Sequence, residues 1–108
     1  MNYWNYIVVL RPTRVGMLLD GPSPEEAEAV GGHFAYYSTL VKEGQMLLAG
    51  RSSGDAEKVF GIGIFHADSL ADALAIVDRD PAIANSVMTA EVQPYQVALF
   101  SENPHRSE

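Results

Sequence analysis

The sequence predicts an α+β domain with the element order β-α-β-β-α-β: a four-stranded antiparallel sheet carrying two helices on one face. Three observations predict it. Ser23-Pro24-Glu25-Glu26 opens a helix that Gly44 closes, and Ser69 opens a second, shorter one. Four stretches rich in β-branched, aromatic and other apolar residues lie around them, at 3–11, 45–49, 59–65 and 88–100.

The first strand runs from Tyr3 to Arg11. Trp4, Tyr6, Val8 and Leu10 share one face, and Asn5, Ile7 and Val9 share the other. Both faces carry apolar residues, so a cover is expected on each, with helices supplying only one. Pro12 ends the strand. Residues 12–22 read as a loop punctuated by glycine and proline, which exposes Met17, Leu18 and Leu19 unless it folds back over the domain. Loops of this length often serve as lids or partner contacts.

In the first helix Ser23 is the cap, Pro24 suits the first helical position and Glu26 completes a capping box. Glu25, Glu26 and Glu28 form an acidic first turn matched to the helix dipole, and no catalysis is assigned to them. Ala27, Val30, Phe34, Tyr37 and Val41 make an apolar stripe at spacings of three and four as far as Glu43. Gly31-Gly32 interrupts it at a cost of about 1 kcal/mol per glycine relative to alanine. The pair marks either a bend or a close packing contact.

Gln45 to Ala49 is the second strand, Gly50 to Asp55 a loop, and Val59 to Phe65 the third strand. There Gly61 and Gly63 share one face, which lets a ligand or another backbone come close. Ser69 caps the second helix, with Leu70, Ala73, Leu74 and Val77 as its apolar face and an end near Arg79. Asp80-Pro81 is a fresh cap and first residue for one short turn. Met88 to Phe100 is the last strand, placed at an edge or bulge by Pro94. The whole order is that of the ferredoxin-like arrangement, and its uncovered apolar face predicts a homodimer formed sheet to sheet, a dimeric α+β barrel.

Bulk properties narrow the function. Residues 1–100 make one domain, followed by a polar tail at 101–108. Seven basic against fourteen acidic side chains leave a net charge of −7, which disfavours nucleic-acid binding. There is no cysteine, hence no disulfide or thiolate chemistry. No apolar run approaches the roughly 18 residues that span a bilayer, and the first residues lack a signal-peptide pattern. A soluble cytoplasmic protein, without membrane contact, is expected. No nucleotide, flavin or haem motif is present and no histidine pair has metal-ligand spacing, so neither cofactor nor metal is expected.

The chain also resembles the YCII-related (YciI-like) domain family. The resemblance is carried by His33-Phe34-Ala35-Tyr36-Tyr37, by the run from Glu43 to Gly50, by Ser69-Leu70-Ala71-Asp72-Ala73, by Asp80-Pro81 and by Val92-Gln93-Pro94-Tyr95. It implies a ferredoxin-like fold dimerising through its sheets and an active site built on a histidine and an aspartate, here His33 and Asp80. Where activity is assigned in the family, it removes chloride from a chlorinated, hydroxylated aromatic ring. The fold is also similar to that of muconolactone isomerases. One departure stands out: family members commonly carry proline after the glycine matching Gly50, whereas this chain has Arg51-Ser52-Ser53.

His33, on the border of the helix's apolar face, is the candidate general acid or base, since an imidazole exchanges protons near neutrality. The alternative is a hydrogen-bonded, inert histidine. Asp80 is the candidate partner that orients His33, or simply the cap of the turn at Pro81, and one carboxylate can do both. Arg51, Ser52 and Ser53 are candidates to hold an anionic substrate oxygen, against the plainer reading of a polar hairpin turn. Tyr6, Tyr36 and Tyr37 are candidates to line a pocket, although the stripe also suits Tyr37 to the core. His66 and His105 read as surface residues.

Together these features predict a cofactor-independent lyase- or isomerase-like enzyme in which His33 and Asp80 move a proton on a small cyclic or aromatic anion. The alternative is a non-catalytic small-ligand-binding or accessory dimer that uses the Met17-Leu18-Leu19 segment, or a purely structural dimer. Geometry discriminates: catalysis needs the His33 ring within about 3 Å of a carboxylate and open to a cavity.

Overall fold

A computed structural model describes residues 5–101. Trp4 and most of the polar tail, His105 included, lie outside the described residues. The elements are β1 (Asn5–Pro12), α1 (Gly16–Leu19), α2 (Pro24–Lys42), β2 (Met46–Arg51), β3 (Gly61–His66), α3 (Leu70–Asp78), α4 (Pro81–Ala84) and β4 (Met88–Tyr95). The sheet order is β2-β3-β1-β4 with every pair antiparallel. This is the expected α+β architecture, with β4 and its Pro94 on an edge.

Alternation along the strands divides the sheet into two faces. Tyr6, Val8 and Leu10 of β1 are buried with Met46, Phe65 and the helix residues Tyr37, Leu40, Ala73, Ile76 and Val77. Val8 and Phe65 are wholly inaccessible at the centre of this layer. Ile7 and Val9 project to the other face and stay partly exposed. β2 is irregular between Met46 and Leu48, and both Leu47 and Leu48 remain about half exposed.

The helix starts follow the local chemistry. Ser23 accepts from the Glu26 N–H while Glu26 bonds back to the Ser23 N–H, a full capping box. Ser69 caps α3 through Asp72, and Asp80 caps α4 with Pro81 at the first position.

Several expected boundaries differ. β2 runs on to Arg51, whose partner is Gly61, so Arg51 is a strand residue rather than a loop residue. A 3-10 turn at Ala56–Lys58 delays β3 to Gly61. β4 stops at Tyr95, and Leu99 and Phe100 beyond it are exposed. Residues 12–22 are not a bare loop: α1 buries Met17 against Ala29 and Val87. Arg14 holds this segment to α2 by a two-pronged contact with Glu26, Nε to Oε2 at 3.0 Å and Nη2 to Oε1 at 2.5 Å.

The apolar stripes are also rotated from expectation. α2 buries Ala29, Tyr37 and Leu40, leaving Phe34 74% and Val41 44% exposed. α3 buries Ala73, Ile76 and Val77, with Leu70 and Leu74 outside. The reason on α2 is polar: its inner side carries His33 and Tyr36, whose polar atoms find partners on α3 and on the cap of α4. Hydrophobic spacing alone ignores such partners.

Candidate active site

His33 and Asp80 meet at the crossing of α2 with α4. Gly32 makes the crossing close: a Cβ there would lie 3.0 Å from Cγ of Pro81. The Gly31-Gly32 pair is therefore a packing contact at Gly32, within an unbroken helix. Pro81 follows Asp80, so the same approach delivers the carboxylate to His33. Nδ1 of His33 lies 2.6 Å from Oδ2 of Asp80. Oδ1 accepts the Ala82 N–H at 2.9 Å. Capping and pairing thus occur on one carboxylate, one oxygen each.

The environments of the two groups differ. Asp80 is wholly inaccessible, and the His33 side chain retains 17% of its surface. His33 lines a cavity of about 860 Å³ between α2 and the sheet. With Nδ1 committed to Asp80, Nε2 is the nitrogen available to a molecule in that cavity. A carboxylate at Nδ1 orients the ring and selects the tautomer that carries its proton on Nδ1.

Tyr37 completes this corner. Its ring lies 4.3 Å from the His33 ring, centroid to centroid, inclined by 45°. It rests on the bare backbone of β3, where a Cβ on Gly63 would come within 3.3 Å of its Cε2. The glycine face of β3 is thus filled by an aromatic ring at Gly63, while Gly61 lines the cavity. The Tyr37 hydroxyl is buried without a hydrogen-bond partner among the described residues. Burial, and then the charge of Asp80, push its ionisation well above that of an ordinary phenol, so it stays neutral. Tyr36 points the other way and donates to the Ile76 carbonyl at 2.6 Å, with burial again raising the phenol.

The family model of the YCII-related domain matches residues 6–96. The chain belongs to the YCII-related domain family. This YCII-related chain is also similar in fold to a solved structure titled 5-chloro-2-hydroxyhydroquinone dehydrochlorinase (TftG) from Burkholderia phenoliruptrix AC1100, in complex with 2,5-dihydroxybenzoquinone. The TM-score is 0.59 at 17% identity, covering 84% of this chain and 93% of the other. No curated protein matches it.

The remaining candidates of the YCII-related chain fall into two groups. Arg51 and Tyr37 line the same cavity as His33. Ser52 and Ser53 do not: Ser52 closes the β2–β3 hairpin by bonding its N–H and hydroxyl to Phe60, and Ser53 is exposed solvent-side. Tyr6 is a core residue packed on Phe65, away from the cavity. His66 is a surface residue 3.5 Å from Asp68. Among the described residues no group of three His, Cys, Asp or Glu side chains is placed to hold a metal ion. No helix among them is long and apolar enough to cross a membrane.

Sequence reasoning missed four residues that shape the site. Arg11 and Lys42 line the cavity, Arg14 anchors its α1 wall, and Gly32 sets the His33–Asp80 approach. Lys42 had a signal, since it stands eight residues beyond Phe34 of the apolar stripe and so on the same side of the helix. Arg14 had none, because its partner lies across a loop.

Proposed function

We propose that the chain is a cofactor-independent enzyme in which His33 transfers protons on a small cyclic or aromatic substrate, with Asp80 orienting the imidazole. The observation that carries this reading is the 2.6 Å contact between Nδ1 and a fully buried carboxylate, on a histidine that borders the cavity. A neutral imidazole takes a proton from a ring hydroxyl or an activated ring carbon at Nε2. The imidazolium then returns it to another ring position. Net isomerisation results if nothing leaves; if the protonated carbon of a hydroquinone carries an anionic leaving group, that group departs with the bonding pair, a ring hydroxyl gives up its proton, and a quinone forms with no external oxidant.

The family and fold support the same class. The similar structure is that of a dehydrochlorinase acting on a chlorinated hydroquinone, and 5-chloro-2-hydroxyhydroquinone is therefore the first compound to test. Chloride release should be measured with the wild type, His33→Gln and Asp80→Asn. Release that falls by about 10²-fold or more in His33→Gln supports proton transfer by His33. Release by the wild type that is unchanged in His33→Gln overturns the assignment.

The working unit in this reading is a homodimer. Ile7, Val9 and Ile62 on the helix-free face are only partly buried, a suitable surface for a second copy of the sheet. Light scattering of wild type and Val9→Glu tests it: a wild-type monomer would exclude the dimer.

A further inference from the structure

The charges around the cavity are unlike those of the chain as a whole. Acidic side chains outnumber basic ones two to one, yet the cavity is lined by Arg11, Lys42 and Arg51 and by no Asp or Glu. None of the three cations is in an ion pair among the described residues, whereas Arg14, outside the cavity, is held by Glu26. Unpaired cations gathered on an apolar wall, in an acidic protein, make a local positive potential that draws anions.

Their placement follows from the register. Arg51 on β2 pairs with Gly61 on β3, and Gly61 pairs with Leu10 on β1, next to Arg11. Both arginines therefore sit at the end of the sheet where β1 leads towards α2, Arg51 on the helix-covered face with Gly61 and Leu10, and Arg11 on the reverse face with Ile7 and Val9. The Arg11 guanidinium stands 5.8 Å from the centre of the Phe60 ring, within cation–π range. Lys42 closes the other end of the groove, about 13 Å further along α2 from His33 at 1.5 Å per residue. Between these ends Phe34, Val41 and Leu48 stand exposed on the cavity wall.

The size of the cavity matters as much as its charge. A volume of about 860 Å³ lies in the upper part of the roughly 300–1,000 Å³ range that encloses ligands of some tens of atoms.

We propose that the cavity takes a ring-containing carboxylate with an apolar body. Its carboxylate is held by Arg51, and its body lies along α2 towards Lys42. Guanidinium groups grip carboxylates through paired N–H donors, which also fixes the ring against Nε2 of His33. The proposal rests on the proton-transfer function and names its substrate class, but binding can be read without turnover.

The test is calorimetric titration of the full chain with 2-naphthoate and with 2-naphthamide, the same ring system without the charge. The wild type should bind the acid at least tenfold tighter than the amide. In Arg51→Gln the preference should fall to threefold or less with amide affinity unchanged, and added salt should weaken only the acid. Arg51 is exposed, so this variant is expected to fold; an unchanged melting temperature checks it, and Arg11→Gln, on the reverse face of the sheet, should keep the preference. Equal affinity for acid and amide, a preference that survives Arg51→Gln, or no measurable binding of either compound overturns the proposal. If the preference fails while chloride release still depends on His33, the carboxylate class falls and proton transfer stands. If the preference holds while turnover is indifferent to His33, the reverse is true.

Discussion

Pro81 packs on Gly32 so closely that an added methyl at residue 32 would meet its ring at 3.0 Å, and this contact brings Asp80 to His33. The neighbouring Gly31 has nothing within 4 Å of the corresponding position. The two glycines should therefore respond differently to alanine. Gly31→Ala should raise stability by up to about 1 kcal/mol, through helix propensity alone. Gly32→Ala should gain less and push Pro81 outward by a few tenths of an ångström. Thermal melts read the first effect. Imidazole NMR of His33 reads the second, and identical spectra in both variants would contradict it.

Asp80 has two separable duties. Asp80→Asn keeps an oxygen for the Ala82 N–H but removes the negative charge facing His33. Its stability should stay within about 1 kcal/mol of wild type, while activity falls by about 10²-fold or more. Asp80→Ala should lose a further 1 kcal/mol or so through the missing cap. Chemical denaturation and initial rates measure the two effects. Full activity in Asp80→Asn would assign the carboxylate to capping alone.

Tyr36 and Tyr37 are adjacent phenols with opposite expectations. Tyr36→Phe breaks the bond to the Ile76 carbonyl and should cost about 1 kcal/mol. Tyr37→Phe removes a buried hydroxyl without a partner among the described residues, so it should be neutral or stabilising by up to about 2 kcal/mol. Urea unfolding distinguishes them. A Tyr37→Phe variant as weakened as Tyr36→Phe would mean that the hydroxyl has a bond partner.

The Arg14–Glu26 contact should make the α1 wall sensitive to acid. Hydrogen bonding to Arg14, then to the Ser23 N–H, lowers the Glu26 carboxyl from its ordinary 4.5 to about 2. A carboxyl depressed in the folded state stabilises above its unfolded value and loses that contribution as pH falls through the folded one. The stability difference between wild type and Glu26→Gln should thus be constant above pH 4.5, shrink below it and vanish near 2. Gln retains the capping box, so the comparison isolates the charge. Melts at several pH values check it, and a difference that persists at pH 2 would contradict it.

The sequence by itself determined whatever depends on near neighbours in the chain. Ser23-Pro24-Glu25-Glu26, Ser69 and Asp80-Pro81 each start a helix because cap and N–H lie within three residues of one another. Strand alternation placed Tyr6, Val8 and Leu10 on one face because the pleat has period two. Together with the family resemblance, these residues nominated His33 and Asp80. Tertiary structure decided what depends on packing between distant segments. It turned Phe34 and Val41 out of the core and half-buried His33 and Tyr36 on the inner side of α2, because a polar group leaves water where a partner 40 or more residues away satisfies it. It joined Arg51, Arg11 and Lys42 around one cavity and left Ser52 in a hairpin. Spacing along a chain records which side chains share a face, and only the packed fold determines what that face meets.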